Sequence, residues 1–586
     1  MANSIDTGNY RIAVDGVSEG VKVALSVETQ VRGLEHVHIR VESDQPTVFP
    51  QVTLSWRQPM ALTHQIWHPA CGNRRNIGPD WSPTGVESEC ARNAPVISLS
   101  DISGANTLTF AFSDCLNTSH LSAGASEETA LLVCRVVLFT KPLPPMTSYE
   151  ATLRLDARPI PYYQSLREVS RWWAEQPGYA PSEPPDLARL PLYSSWYSFH
   201  QTLDPARIET QCRIAKSMGM EAIIVDDGWQ TDDASRGYEH CGDWEVTPGK
   251  FPDFAAHVAR VHEIGMKYVL WFSVPFVGVG TKAYERFKDK LLDADQPRKW
   301  YCLDPRFADV RDYLIGIYES FITRYDIDGF KLDFVDAFGG QPDSSGGRDC
   351  ASVAVAVDRL LTDAMARLRA LKPEVLIEFR QSYIGPLMRK YGNMMRAGDV
   401  PNDFAGNRLR TIDVRLLSDA TPAHADMFMW HPSDPVESAA MQLIHALFAV
   451  PQVSVMLDEI PADHRRMVEF LLKFWRENRD VLLDGELMPL SPEMLYPVVM
   501  ARSESKLLAA CYSSSARIRI DDAPGTLIVV NGTMDSEVVM DLKSDAGART
   551  LTVYKCTGEK VLEQAIALRA GLHSLPVPPA GIAYLK

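Results

Sequence analysis

The chain has 586 residues and a net charge of −16, so it is too long for one hydrophobic core and too acidic to favour nucleic acid or another polyanion as partner. With 46% hydrophobic and 23% charged residues it has the composition of a soluble globular protein. Its ten cysteines lie without CxxC or His-rich spacing, which argues against a disulfide framework and a zinc site. No signal peptide is visible in MANSIDTGNYRIAVDG and no apolar run reaches membrane-spanning length, so the reading is cytoplasmic with no membrane partner.

Residues 1–160 read as strand after strand (YRIAVDG, VKVALSVE, HVHIRVES, NTLTFAFS and others) with alternating, β-branched texture, which predicts an N-terminal β-sandwich. One loop breaks the pattern. His64–Trp81 gathers Trp67, His68 and Trp81, and is a candidate to close a pocket, in this chain or in a partner copy of a homo-oligomer. Residues 161–190 read as a short helix, with Leu166, Val169 and Trp173 on one face, and a stiff linker in which AEQPGYAPSEPPDLARLP has five prolines.

Residues 191–484 change character to short apolar strands alternating with amphipathic helices. Eight strand candidates (PLYSSWY, EAIIVDD, KYVLWFSV, DGFKLDF, VLIEF, NMMRAGD, DMFMW and VSVML) predict a (β/α)8 barrel. Asp204 and Pro205 form a helix start, and Val310, Leu314, Ile317, Phe321 and Ile322 recur at helical spacing. Residues 485–586 return to strands and predict a small antiparallel β-domain.

The chemistry gathers around DIDGFKLD, Asp326–Asp333. As a strand it sends Phe330 and Leu332 to one side and Lys331 and Asp333 to the other, a cation and a carboxylate facing a shared interior. An isolated KxD is usually a salt bridge at a strand end. Here the other strands also end in polar or aromatic groups: Trp196 and Tyr197, Asp226 and Asp227, Trp271, Glu378 and Arg380, Arg396 and Asp399, and Trp430. A barrel gathers such groups at one mouth, and carboxylates with aromatic walls suit a sugar. A glycosidase needs two carboxyl groups across the scissile bond, and Asp333 and Asp399 come from different strands. Lys331 beside Asp333 is expected to keep it ionised, and Asp399, if the acid, should have its pKa raised.

The chain resembles the clan D α-galactosidases, most closely glycoside hydrolase family 36, the melibiase-like enzymes with raffinose synthases among their relatives. The resemblance rests on SSWY, VDDGWQ, GDWEVTPGKFP, GMKYVLWF, LDPRFADVRDYL, YDIDGFKLDF and HADMFMWHP, in order over about residues 190–435. It implies a retaining α-galactosidase with Asp333 as nucleophile and Asp399 as acid/base, without metal or cofactor, acting on a small oligosaccharide or glycoside. It implies that Asp226 and Asp227 hold the O4 and O6 side of galactose, that Lys331, Arg396 and Arg298 bind sugar, and that Trp196 and Trp271 line the pocket. Two departures stand out. EFRQSYIGP replaces a Cys-containing, glycine-rich stretch that serves the 2-hydroxyl side, leaving Glu378, Arg380 and Gln381 to take over. Val335 stands where an Asn is usual. For the acid, Asp403 competes with Asp399, its bland reading being a helix N-cap.

Other readings are a transglycosidase or a glycosidase for another hexose, a Schiff-base lyase using Lys331, a metal-dependent isomerase using Asp226, Asp333 and Glu378, and a sugar-binding module without catalysis. A carboxylate beside Lys331 raises its pKa, the wrong direction for a nucleophilic amine, and His ligands for a metal are missing.

Overall fold

The computed structural model describes residues 4–294 and 297–586. Two sheets, built from strands between Ser4–Asp6 and Met146–Asp156, pack face to face around Val37, Trp56, Phe110 and Val136. Helix α1, Tyr162–Ala174, then crosses to the barrel.

The barrel strands are β1 Leu192–Ser194, β2 Ala222–Val225, β3 Lys267–Ser273, β4 Gly329–Asp333, β5 Leu376–Arg380, β6 Met394–Arg396, β7 Ala423–His424 and β8 Gln452–Val453. They pair in parallel in chain order, β8 returns to β1, and the His424–Val450 bridge closes the ring. The outer helices include α2 Pro205–Ser217, α3 Phe254–Ile264, α4 Ala308–Tyr325, α5 Val353–Leu371, α6 Phe404–Ser418, α7 Val436–His445 and α8 Ala462–Glu477. Asp204 caps α2 through the Arg207 amide, as its position before Pro205 predicts.

Strand β4 is buried at every residue. Phe330 faces outward onto Tyr318 of α4, with ring centroids 5.4 Å apart, so Lys331 and Asp333 face inward. A Cβ on Gly329 would lie 2.3 Å from the Leu376 carbonyl oxygen, so only glycine lets β5 approach here.

The seventh strand differs from the sequence reading. Residues 423–424 form it, and DMFMW follows as irregular chain whose Phe428 bridges Val453. The apolar run attracted the assignment, but the backbone pairing lies earlier, so Asp426 and not Trp430 follows the strand end.

Beyond the barrel, a seven-stranded and a three-stranded sheet run from Glu486–Leu490 to Ile582–Leu585. Most pairs are antiparallel, while Lys506–Cys511 runs parallel to Thr526–Asn531 and Ile518–Ile520 to Val538–Leu542.

Candidate active site

Parallel register sets the inward residues in layers. Trp271 lies level with Lys331, Lys331 with Glu378, and Arg380 with Arg396. Asp333 ends β4 one layer nearer the mouth, level with Ser273.

Asp333 is 6% exposed and held by four donors. Its Oδ1 accepts from Arg380 Nε at 2.8 Å, the Phe334 amide at 2.8 Å and the Tyr383 hydroxyl; its Oδ2, among the described residues, accepts from Trp271 Nε1 at 3.0 Å. Burial pushes this carboxyl's pKa up, but Arg380, Lys331, Tyr383 and Trp271 outweigh it and hold the group well below the ordinary carboxylate range. The main counter-charge is Arg380, where the sequence reading had Lys331. Lys331 gives its contact to Asp226, Nζ to Oδ2 at 2.6 Å.

Asp399 lies just beyond β6, its side chain about half exposed, with Arg396 Nη2 at 2.9 Å. Burial raises its pKa, yet Arg396, Lys331 and Arg380 pull it below the usual value. The expectation of a raised pKa is therefore corrected: three cations converge on this carboxyl, so the unliganded protein holds it ionised. Asp403 caps α6 through the Gly406 amide, in keeping with its bland reading.

Asp227 accepts from Gln201 and Gln230, each at 2.7 Å, and burial lifts its pKa to about 6, with Asp226 adding to the rise. Glu378 lies deeper, fully buried, 3.3 Å from Arg396 and bonded to Gln452; burial raises its pKa. It lies fully buried against Arg396. Gln381 turns its side-chain carbonyl to the Gly398 amide and steadies the loop that carries Asp399.

Arg396 is wholly buried and shared among Asp399, Asp426 and Glu378. Trp196 opens a short helix after β1 and packs edge-on against His200. Trp430 donates to His464 of α8, which ties it to the helix layer. Arg298 pairs with Asp293 at 2.9 Å and is exposed.

Three site residues were missing from the candidates. Asp426 accepts from Tyr197 and from the Val400 amide and so positions the Asp399 loop; it sits in HADM, hidden by the misplaced strand. Tyr383 lies in EFRQSYIGP, the very stretch that departs from the family pattern. Gln201 carries no signal beyond its place after β1.

The loop His64–Trp81 does not cover the mouth of this chain's barrel. Trp67 and Arg75 are buried against Asp413 of α6 and Tyr496 beyond the barrel, while Trp81 is 73% exposed beside Glu127. A separate group of possible metal ligands, Asp233, Glu239 and His240, already pairs internally and with Lys299.

Residues 187–396 match the melibiase family. The α-galactosidase Mel36A of Lactobacillus acidophilus is 30% identical over 159 residues, 26% of this chain and 20% of that protein. An A type blood α-D-galactosamine galactosaminidase of Flavonifractor plautii is 28% identical over 179 residues, 27% of this chain and 15% of that protein. The matched segment thus spans a fifth or less of either relative. Among solved structures, the α-galactosidase of Lactobacillus brevis superposes with a TM-score of 0.67 at 15% identity, covering 100% of this chain and 83% of that one. A family 36 α-galactosidase AgaA variant of Geobacillus stearothermophilus, in complex with raffinose, gives a TM-score of 0.67 at 16% identity, covering 98% and 83%. Residues 187–396 thus carry a melibiase-family segment, and the chain as a whole shares its fold with solved family 36 α-galactosidases.

Proposed function

We propose that the protein is a retaining α-galactosidase that releases terminal α-linked galactose from a small oligosaccharide or glycoside. The observation that carries this reading is the environment of Asp333: an ionised carboxylate at the barrel mouth, fixed by Arg380, Tyr383 and Trp271, with one oxygen less engaged than the other. In this scheme Oδ2 attacks the anomeric carbon. The glycosidic C–O bond breaks, its electron pair leaves with the aglycone oxygen, and that oxygen takes a proton from Asp399. Water, deprotonated by Asp399, then attacks the same carbon, releases galactose and frees Asp333. Asp399 must gain its proton when substrate enters, because the unliganded site favours its charged form. Asp226 and Asp227 supply acceptors for galactose hydroxyls, and Lys331 orders Asp226.

The test is a panel of aryl α-glycosides (galactoside, N-acetylgalactosaminide, glucoside, arabinopyranoside) with wild type and Asp333→Asn, together with proton NMR of the first sugar released. Cleavage of the galactoside with α-galactose appearing first, abolished by Asp333→Asn, is the expected result. No cleavage of any member overturns the reading, and β-galactose as first product overturns the double displacement.

A further inference from the structure

We propose that Arg380 selects glycosides bearing an anionic group, such as a sulfate ester, on C2, the ring carbon next to the anomeric carbon. This rests on the reading of Asp333 as nucleophile.

The guanidinium is placed and partly spent. Nε binds Asp333 Oδ1 at 2.8 Å, Nη1 binds the Gln381 carbonyl at 2.9 Å, and the group lies 5.2 Å from the Phe334 ring centroid and 5.3 Å from that of Tyr383. Nη2 makes no hydrogen bond among the described residues and is not sealed from solvent; the side chain is 19% exposed. Two other cations of the site are committed. Lys331 is locked to Asp226, and Arg396 is buried among Asp399, Asp426 and Glu378. Arg380 thus keeps one donor nitrogen, Nη2, without a protein acceptor among the described residues.

A donor one hydrogen bond from the attacking carboxylate lies within reach of the neighbours of the anomeric carbon, chiefly the ring oxygen and the C2 substituent. The ring oxygen gains positive charge in the oxocarbenium-like transition state, so a guanidinium there opposes reaction. The productive pose sets Arg380 at C2.

The charge balance decides what C2 should carry. When Asp333 becomes an ester its negative charge is consumed, and Arg380 loses its main counter-ion inside a largely buried site, a costly state. A sulfate on C2 stays against the guanidinium through both half-reactions. It also offsets part of the positive field that holds Asp399 ionised, and so favours the proton that an acid needs. A 2-ammonium sugar meets repulsion at the same place.

The experiment compares 4-nitrophenyl α-galactoside with its 2-O-sulfate as substrates of wild type, Arg380→Gln and Arg380→Lys, and measures calorimetric binding of galactose and galactose 2-sulfate to each. Wild type should prefer the sulfate in kcat/KM and in affinity by about tenfold or more, the scale of a charge-assisted contact. The preference should collapse in Arg380→Gln and largely persist in Arg380→Lys. Wild type that cleaves the unmodified galactoside as well as or better than the sulfate overturns the inference and leaves the α-galactosidase reading standing. Cleavage of neither overturns both. If Arg380→Gln fails to fold by circular dichroism, the wild-type ratio and Arg380→Lys decide.

Discussion

Lys331 and Asp226 meet across the barrel interior, Nζ to Oδ2 at 2.6 Å, over the intervening strand β3. Each is less than 5% exposed, so each is the other's reason for being charged there. Lys331→Met leaves a buried carboxylate without its cation and should cost about 3–5 kcal/mol of stability. Activity should fall by about a hundredfold or more, because the acceptor geometry slackens. The double variant Lys331→Met with Asp226→Asn should regain stability and remain inactive. Urea unfolding and kcat/KM on the three proteins check this, and a stable, active Lys331→Met contradicts it.

Asp413 ties three parts of the chain together. It accepts from Trp67 Nε1 at 2.9 Å, from Arg75 Nη2 at 2.9 and 3.1 Å, and from the Tyr496 hydroxyl at 2.6 Å, all buried. Asp413→Ala strands the Arg75 guanidinium and should lose about 3–5 kcal/mol, while Arg75→Met with Asp413→Leu should recover most of it. Turnover well below the melting temperature should match wild type, because none of these groups contacts Asp333 or Asp399. A loss of kcat/KM in a folded Asp413→Ala protein would show that the joint acts on the site.

The barrel and its charged centre were legible because a strand that sends Lys331 and Asp333 to one side and Phe330 and Leu332 to the other admits few readings. The pairing was not legible. Residues two apart on a strand point the same way, about 7 Å apart, so the local neighbour of Lys331 is a poorer partner than an acid on another strand. Arg380 likewise reaches Asp333 from the next strand through side-chain direction, which sequence does not show. DMFMW misled for a different reason. Most of its apolar residues are buried, and burial with a single bridge, Phe428 to Val453, looks like a full strand from composition alone.

Asp227 should give ligand binding a pH signature. Burial lifts its pKa to about 6, and its ionised form is the stronger acceptor for sugar hydroxyls. Galactose affinity should therefore rise as pH increases through about 6, and Asp227→Asn should flatten that transition. The sign for stability is opposite. A raised carboxyl pKa favours the folded state at low pH, and this contribution is lost as pH rises through about 6, so Asp227→Asn should gain on wild type above that pH. Inhibition by galactose across the transition and unfolding at both ends test the two signs.

Asp328 works at the opposite end of β4, the face of a barrel that serves stability. It is 4% exposed and accepts from His262 at 2.7 Å, the Tyr268 amide at 2.9 Å, and Lys267 and Lys372 at 3.1 Å each. Burial raises its pKa, but those donors together hold it far below the ordinary range. A depressed carboxyl contributes stability that is fully present above the unfolded value of about 3.9 and disappears as pH falls through the folded one. Asp328→Asn should therefore cost about 2–3 kcal/mol at pH 7, the scale of hydrogen bonds to a charged group. The gap to wild type should narrow below about pH 4, where the unfolded chain no longer carries this charge. Chemical unfolding of the two proteins at neutral and acid pH measures it. A gap that stays constant on acidification would mean that the carboxylate's charge is not what holds this end of the strand.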